Sequence, residues 1–72
     1  MSNKNGFTSL RVHRFYSDIP QIEVARRIGR TQEWLSLREH GHRPVPEKEA
    51  ALLSEVLGVP VAKLFKGMKV VE

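Results

Sequence analysis

The sequence predicts a compact all-α domain of five short helices. Apolar residues recur at spacings of three and four, alternation with a period of two is nearly absent, and glycine and proline interrupt the chain at helix-length intervals. A chain of 72 residues makes one small domain. We expect an N-terminal arm over residues 1–8, the domain itself over residues 9–66 and a C-terminal tail over residues 67–72.

The first helix is predicted to begin at a Thr8 or Ser9 cap and to run to about Tyr16. The segment Ser-Asp-Ile-Pro that follows should end it, because the residue before a proline avoids the helical region of backbone conformation. The apolar face of this helix is poorly defined, so the sequence does not fix its orientation.

The second helix is predicted to begin at Pro20 and has a clearer pattern. Val24, Ala25 and Ile28 form an apolar stripe at helical spacing. Gly29 suits the position just after the helix, where the backbone often takes a positive φ that glycine adopts without a steric penalty.

The remaining helices are marked by their caps and breakers. Thr31 can cap a third helix that ends at Gly41, and Pro46 suits the first position of a fourth helix. Gly58 ends the fourth helix, and a short fifth helix begins at Pro60. The tail is expected to be frayed or to form a short interaction strand. The predicted buried stripe of the fourth helix consists of Ala50, Leu53, Val56 and Leu57.

Charge is distributed unevenly along the chain. The net charge is +4; residues 1–44 carry eight basic and four acidic side chains, whereas residues 45–72 carry four of each. Arginine suits phosphate oxygens and base edges, so a basic, arginine-rich part favours a polyanionic partner. A solvated basic surface without a partner would have the same composition. The arginines are Arg11, Arg14, Arg26, Arg27, Arg30, Arg38 and Arg43.

Composition and sequence patterns also predict the cellular location. The chain has no cysteine, which excludes disulfides and thiolate metal sites. Neither a signal-peptide pattern nor an apolar run of membrane-spanning length is present. We therefore expect a cytoplasmic protein without membrane association.

The second and third predicted helices are joined by a turn of three to four residues that contains glycine, which is typical of a helix-turn-helix. Ala25 is small where the third helix would cross close to the second, and Val24, Ile28 and Leu35 would seal the pair. The first residues of the third helix would then face base edges in the major groove of DNA.

The wider pattern, over about residues 10–65, resembles that of the phage repressor and Cro family, also called the Xre family. Each match is weak alone, but the whole set occurs in order and at the family's spacing. The resemblance implies a five-helix, lambda-repressor-like domain with a helix-turn-helix formed by helices 2 and 3. The matching positions are Arg14, Gln21, Val24, Ala25, Gly29, Thr31, Ser36, Glu39, Gly41, Pro46 and the closing segment Leu-Gly-Val-Pro-Val-Ala-Lys-Leu-Phe.

The resemblance implies one structural pair and two phosphate contacts. Arg14 and Glu39 match a buried ion pair of the family. Removing one partner of such a pair typically lowers the stability of a protein by roughly 3–5 kcal/mol. The alternative is that the two are unrelated exposed charges. Gln21 matches a phosphate contact, where its backbone N–H would lie at a positive helix end; an ordinary exposed glutamine is the alternative. Arg43, after the third helix, is the strongest side-chain candidate for a phosphate contact, or else a solvated loop charge.

Base reading is implied for the third helix. Gln32 matches the first reading position and suits adenine N6 and N7, and Glu33 could accept from cytosine N4. Leu37 offers only apolar contact, for example with a thymine methyl group. Each of the three could instead be a solvent-facing helix residue. The other predicted DNA contacts are Arg30, Thr31, Ser36, His40, His42 and Arg43.

Three residues depart from the family pattern. His13 and Arg38 occupy positions that are usually aliphatic, and Trp34 occupies one that is usually small and polar. Arg38 could lay its stem along apolar surface with its head in water. Trp34 could cover the gap beside Arg38, stack on the first helix or lie along DNA; simple packing is favoured.

These observations predict sequence-specific binding of double-stranded DNA by a small repressor or Cro-like regulator of a phage, prophage or bacterium. It would act by occupying an operator and would associate with the nucleoid, with no cofactor or small-molecule ligand. We expect a homodimer, at least on DNA, on half-sites about 34 Å apart. Family dimers commonly use the fifth helix and tail, here Val61, Leu64, Phe65, Val70 and Val71.

Two other classes of function remain. A protein-binding module on the same fold, such as an antitoxin or docking adaptor, should tolerate alanine at Gln32 and Arg43. An enzyme or metalloprotein is disfavoured because five short helices leave little room for a water-excluding pocket. His40 and His42 give two metal ligands where zinc needs three or four.

Overall fold

Five helices and two very short strands occur in the part of the chain that the structure, a computed structural model, describes: residues 7–72. The arm expected over residues 1–8 therefore lies outside the described residues except for Phe7 and Thr8. The elements are α1 (Ser9–Ser17), α2 (Gln21–Arg27), α3 (Gln32–Glu39), β1 (Val45–Pro46), α4 (Glu47–Leu57), α5 (Val61–Leu64) and β2 (Val70–Val71).

Two threonine caps set the starts of α1 and α3. The Thr8 hydroxyl accepts from the backbone N–H of Arg11, and the Thr31 hydroxyl accepts from that of Trp34, each at 3.1 Å. Each cap satisfies one of the backbone donors that a helix start leaves without a partner. The Thr8 hydroxyl also donates to the carbonyl oxygen of Glu39 at 2.6 Å, so the start of α1 is fixed to the end of α3.

The core takes side chains from every helix. Leu10, Val24, Leu35, Leu53 and Leu64 come from α1 to α5 in turn, and each is fully buried. Shortening such a leucine to alanine typically costs about 2–5 kcal/mol, a large fraction of the stability of a small domain. The other buried apolar residues are Ala25, Ile28, Val45, Ala50 and Phe65.

The all-α expectation needs one addition, a parallel pair of two-residue strands. Val45 pairs with Val70 and Pro46 with Val71, and the Val45 N–H donates to the Lys69 carbonyl oxygen at 3.0 Å. Two residues are too short to give a periodic signal in the sequence. Of the two expectations for the tail, frayed or strand, the strand occurs, and it pairs within its own chain.

Within residues 7–72, every helix is too short or too polar to cross a lipid bilayer.

Candidate nucleic-acid interface

The site is built on α2 and α3, which pack against each other. The connection is short because Gly29 has a φ of 74°, and the Arg30 N–H donates back to the Ala25 carbonyl oxygen at 2.9 Å. A Cβ at position 29 would meet nothing within 4 Å. The glycine is therefore needed for its backbone conformation and not for space. Ala25 on α2 and Leu35 on α3 are both buried in the core.

The buried carboxylate of Glu39 fixes the end of α3 to α1 and α2. Its Oε2 lies 2.5 Å from Arg14 Nε, so the expected ion pair is present, and Glu39 is fully buried. Its Oε1 accepts from Gln21 Nε2 at 3.1 Å. Arg14 also donates to the Ile19 carbonyl oxygen at 3.2 Å. Both carboxylate oxygens are thus satisfied, as a buried charge requires.

Gln21 extends this contact to the surface. Its Oε1 accepts from Gln32 Nε2 at 3.2 Å. The residues Arg14, Glu39, Gln21 and Gln32, which we call the Gln32 network, therefore form one continuous row of hydrogen bonds from α1 to the exposed first turn of α3. The expected phosphate contact of Gln21 concerned its backbone N–H, which the row does not use. Sequence reasoning missed the bridging side chain.

Gln32 and Glu33 are both exposed in the first turn of α3. The capping hydroxyl of Thr31 is occupied by the Trp34 N–H. Farther along the helix, Ser36 and Leu37 are half-buried. The five predicted contacts of α3 and its cap thus comprise two exposed residues that are candidates for base reading, one cap and two half-buried residues.

Arg30, predicted as a DNA contact, makes contacts within the protein that the sequence did not predict. Its Nη2 lies 2.5 Å from Glu49 Oε2 on α4, and its guanidinium carbon lies 5.3 Å from the centre of the Trp34 ring. The hydrogen bonds from Arg30 hold the pKa of Glu49 below its ordinary value, against the opposing effect of burial. The Arg30 side chain is still 44% exposed, so it has an internal partner and a solvent-facing side.

Glu49 lies in the first turn of α4 and is buried, a position that the sequence analysis did not single out. It precedes the fully buried Leu53 by four residues, so the two lie on the same face of α4. This spacing of four from Leu53 could have predicted the burial of Glu49.

Trp34 and Arg38 account for two of the departures from the family pattern. The Arg38 guanidinium carbon lies 4.1 Å from the centre of the Trp34 ring, on which Arg30 also lies. Arg38 donates to the carbonyl oxygens of Trp34 and Pro44, both at 3.3 Å. Burial, and then the nearby charge of Arg43, lowers the pKa of Arg38, but a guanidinium stays charged at neutral pH. Trp34 therefore packs against the core, and the guanidinium groups of Arg30 and Arg38 both lie over its ring.

The loop after α3 is exposed and carries the remaining predicted contacts. The rings of His40 and His42 stack with centroids 6.0 Å apart and planes 7° from parallel. His40 Nδ1 lies 2.8 Å from the carbonyl oxygen of Ser36, one turn back. Among residues 7–72, the one acceptor of an Arg43 side-chain hydrogen bond is the neighbouring His42 carbonyl oxygen, at 3.2 Å, which leaves most of the guanidinium donors free of protein partners there.

The expected dimer surface needs a correction. Leu64 is fully buried and Phe65 is 5% exposed in the protein's own core, so neither side chain is available to a second copy in this conformation. Val70 and Val71 are half-buried and form β2, which pairs with β1. Val61 is 38% exposed. A short amphipathic helix at the end of a chain looks the same in sequence whether it covers its own core or a partner's.

In the part of the chain that the structure describes, no three histidine, aspartate or glutamate side chains come close enough together to hold a metal ion. Comparisons with protein-family models, with curated proteins and with solved structures found no match to this chain.

Proposed function

We propose that the protein binds double-stranded DNA sequence-specifically as a transcriptional regulator. In this proposal α2 and α3 are a helix-turn-helix of the phage repressor and Cro type, and α3 is the recognition helix that enters the major groove. The observation that carries the proposal is the Gln32 network, which holds an exposed amide at the first turn of α3 by a row of bonds to a buried ion pair.

A glutamine held in this way is suited to reading a base. Adenine presents an acceptor at N7 and a donor at N6, and a glutamine can satisfy both at once. Gln32 uses one of its two amide hydrogens on Gln21, which leaves the other hydrogen and the carbonyl oxygen for that pair of contacts. Because the side chain is already oriented, less conformational entropy is lost when it binds.

Phosphate contacts would come from the loop after α3. Arg43, His40 and His42 are exposed there, and the basic excess of residues 1–44 favours approach to a polyanion. Glu33 would accept from cytosine N4, which also disfavours the wrong base, since a carboxylate left facing an acceptor or a phosphate is repelled. Operator occupancy that excludes polymerase would be the regulatory mechanism.

The test is selection of bound sequences from a random duplex pool, followed by titration of the enriched duplex. We expect one enriched sequence, arranged as two half-sites about one helical turn apart, with adenine at the position that Gln32 reads. Gln32→Ala should lower affinity for that sequence by roughly 5- to 150-fold and remove the preference at one base pair, the range for loss of one bidentate contact.

Two further variants sharpen this test. Gln21→Ala leaves Gln32 in place but removes its tether, so it should give a smaller loss at the same base pair. Glu55→Ala, an exposed change on α4, is the control and should bind like the unmodified protein. Two results together would refute the proposal: no sequence is enriched by the selection, and at physiological salt the protein binds every duplex recovered with the same affinity as random duplex.

A further inference from the structure

The outer side of α1 carries aromatic side chains that the core and the candidate interface do not use. A pocket of about 290 Å³ lies there. Phe15 and Tyr16 are 74% and 77% exposed, and the Arg11 guanidinium carbon lies 4.4 Å from the centre of the Phe7 ring. We call this surface the α1 aromatic surface; its residues, which line the pocket, are Phe7, Arg11, Val12, Phe15 and Tyr16.

We propose that the α1 aromatic surface is where two copies of this chain associate, by antiparallel pairing of their α1 helices across a two-fold axis near Phe15. Large apolar side chains grouped on the surface of a small domain mark contact sites. The predicted surface on α5 offers less, because Leu64 and the following Phe65 are buried and Val61 is only 38% exposed.

The shape of this surface suits a second copy. A two-fold interface joins the same patch to itself, so the patch must carry both a projection and a matching recess. Phe15 and Tyr16 project, and the pocket beside them is lined by Phe7, Arg11 and Val12 as well. In a two-fold pair, the projecting rings of each copy can enter the pocket of the other.

The charges fix the direction of pairing. Arg11 and Asp18 lie seven positions apart, close to two helical turns, near opposite ends of α1. Within residues 7–72, neither side chain has an ion-pair partner. Antiparallel helices that cross near Phe15 bring Arg11 of each copy beside Asp18 of the other. A parallel pair would instead place like charges together.

The area indicates a weak, reversible dimer. At the observed exposures, Phe15 and Tyr16 each offer on the order of 150 Å², so the four rings of two copies would bury about 600 Å². Phe7, Val12 and the stem of Arg11 bring the total near the roughly 1,000 Å² expected of a specific interface. We expect a dissociation constant in the micromolar range, because interfaces at the low end of the specific size range are typically transient.

Sedimentation velocity tests the proposal directly. The protein concentration should be varied from about 1 µM to about 1 mM, which covers dissociation constants in the micromolar range. The protein should change from monomer to dimer as its concentration rises. The double variant Phe15→Gln, Tyr16→Gln should raise the dissociation constant at least tenfold. These side chains are exposed, so circular dichroism should be unchanged. Ile22→Gln, which removes an apolar residue that is 61% exposed on α2, is the matched control and should not change association.

Charge reversal tests the antiparallel arrangement. Arg11→Glu and Asp18→Lys should each weaken self-association, and a one-to-one mixture of the two variants should restore it, because both ion pairs re-form only between unlike chains. Asp18 has a φ of 63°, which lysine adopts less readily; Asp18→Asn therefore serves as a milder second variant with a smaller loss. A protein that stays monomeric throughout, a dimer that survives loss of both rings, or a mixture without rescue would each overturn the proposal.

Discussion

Single residues in this protein have several partners each, and the buried Glu39 is the clearest case. Its carboxylate accepts from Arg14 and Gln21, and its backbone carbonyl accepts from Thr8. One side chain and its peptide group thus join α3 to α1, to α2 and to the cap of α1. Within residues 7–72, no buried side-chain nitrogen or oxygen lacks a hydrogen-bond partner.

Glu39→Ala should lower the free energy of unfolding by about 3–5 kcal/mol, because it leaves the Arg14 guanidinium mostly buried without its counter-charge. Urea denaturation followed by circular dichroism measures the change. Glu39→Gln keeps one carbonyl oxygen that can accept from Arg14, so it should cost less, which keeps the test usable if the alanine variant does not fold. Glu55→Ala, on the exposed side of α4, is the control and should stay within about 0.5 kcal/mol. A loss below about 1 kcal/mol for Glu39→Ala would contradict the prediction.

At the scale of elements, the connection between α2 and α3 is held by a contact with α4. Arg30 lies in that connection and reaches Glu49 on α4, and it also lies against the ring of Trp34 on α3. A second acid, Glu23, has its pKa lowered to about 2 by hydrogen bonds from Arg26 and then Arg27. That cluster lies within α2 on the surface, where solvent and salt screen it. The buried Glu49 is therefore the more important acid for holding the elements together.

This contact should make stability depend on pH in a defined direction. The pKa of folded Glu49 is below the ordinary value of 4.5, so the Arg30–Glu49 pair stabilises the protein above about that pH. The contribution is lost as the pH falls through the lower, folded-state value. Between pH 7 and pH 3, Glu49→Gln should therefore lose less stability than the unmodified protein, measured by urea denaturation at each pH.

Glu23→Gln provides the comparison for this pH effect. Its influence on acid sensitivity should shrink when salt is raised to about 1 M, where the Debye length is only about 3 Å, whereas that of Glu49→Gln should persist. Equal acid sensitivity of the unmodified protein and Glu49→Gln would contradict the assignment.

At the scale of the whole molecule, the positive charge and the exposed polar groups of α3 lie in the same part of the chain. The net charge is +4, and its excess falls within residues 1–44, which include α1, α2 and α3. Several of these cations are engaged internally, with Arg14, Arg26, Arg27 and Arg30 in ion pairs. Arg11, Arg38 and Arg43 have no partner among the described ion pairs. Of these three, only Arg43, in the loop after α3, is exposed, so it is the arginine most available to a phosphate.

If Arg43 contacts a phosphate, its loss should be visible in the salt dependence of DNA binding. The logarithm of affinity falls with the logarithm of salt concentration by about 0.9 for each phosphate neutralised. Arg43→Ala should therefore reduce that slope by about one and weaken binding to all sequences alike. Fluorescence anisotropy titrations of the selected duplex at several salt concentrations measure it. Lys66→Ala removes the same charge from the exposed turn after α5 and should leave the slope unchanged; equal slopes for all three proteins would contradict the prediction.

Features that depend on neighbouring residues could be predicted from the amino-acid pattern alone. The predicted Thr31 cap and the positive φ of Gly29 are confirmed, and of the two candidates for the first cap, Thr8 and Ser9, the structure has Thr8. Caps and backbone conformation are local properties. The apolar spacing likewise predicted the mostly helical fold and most of its core. The charge excess of residues 1–44 needed only counting.

Contacts between distant parts of the chain became visible only in the folded protein. Arg30 and Glu49 are 19 positions apart, and Gln21 joins Glu39 to Gln32 across two helices. The strand formed by the tail, the burial of Leu64 and Phe65, and the stacking of Arg38 on Trp34 belong to the same group. Such contacts depend on which surfaces the packed helices bring together, and local spacing does not encode that arrangement.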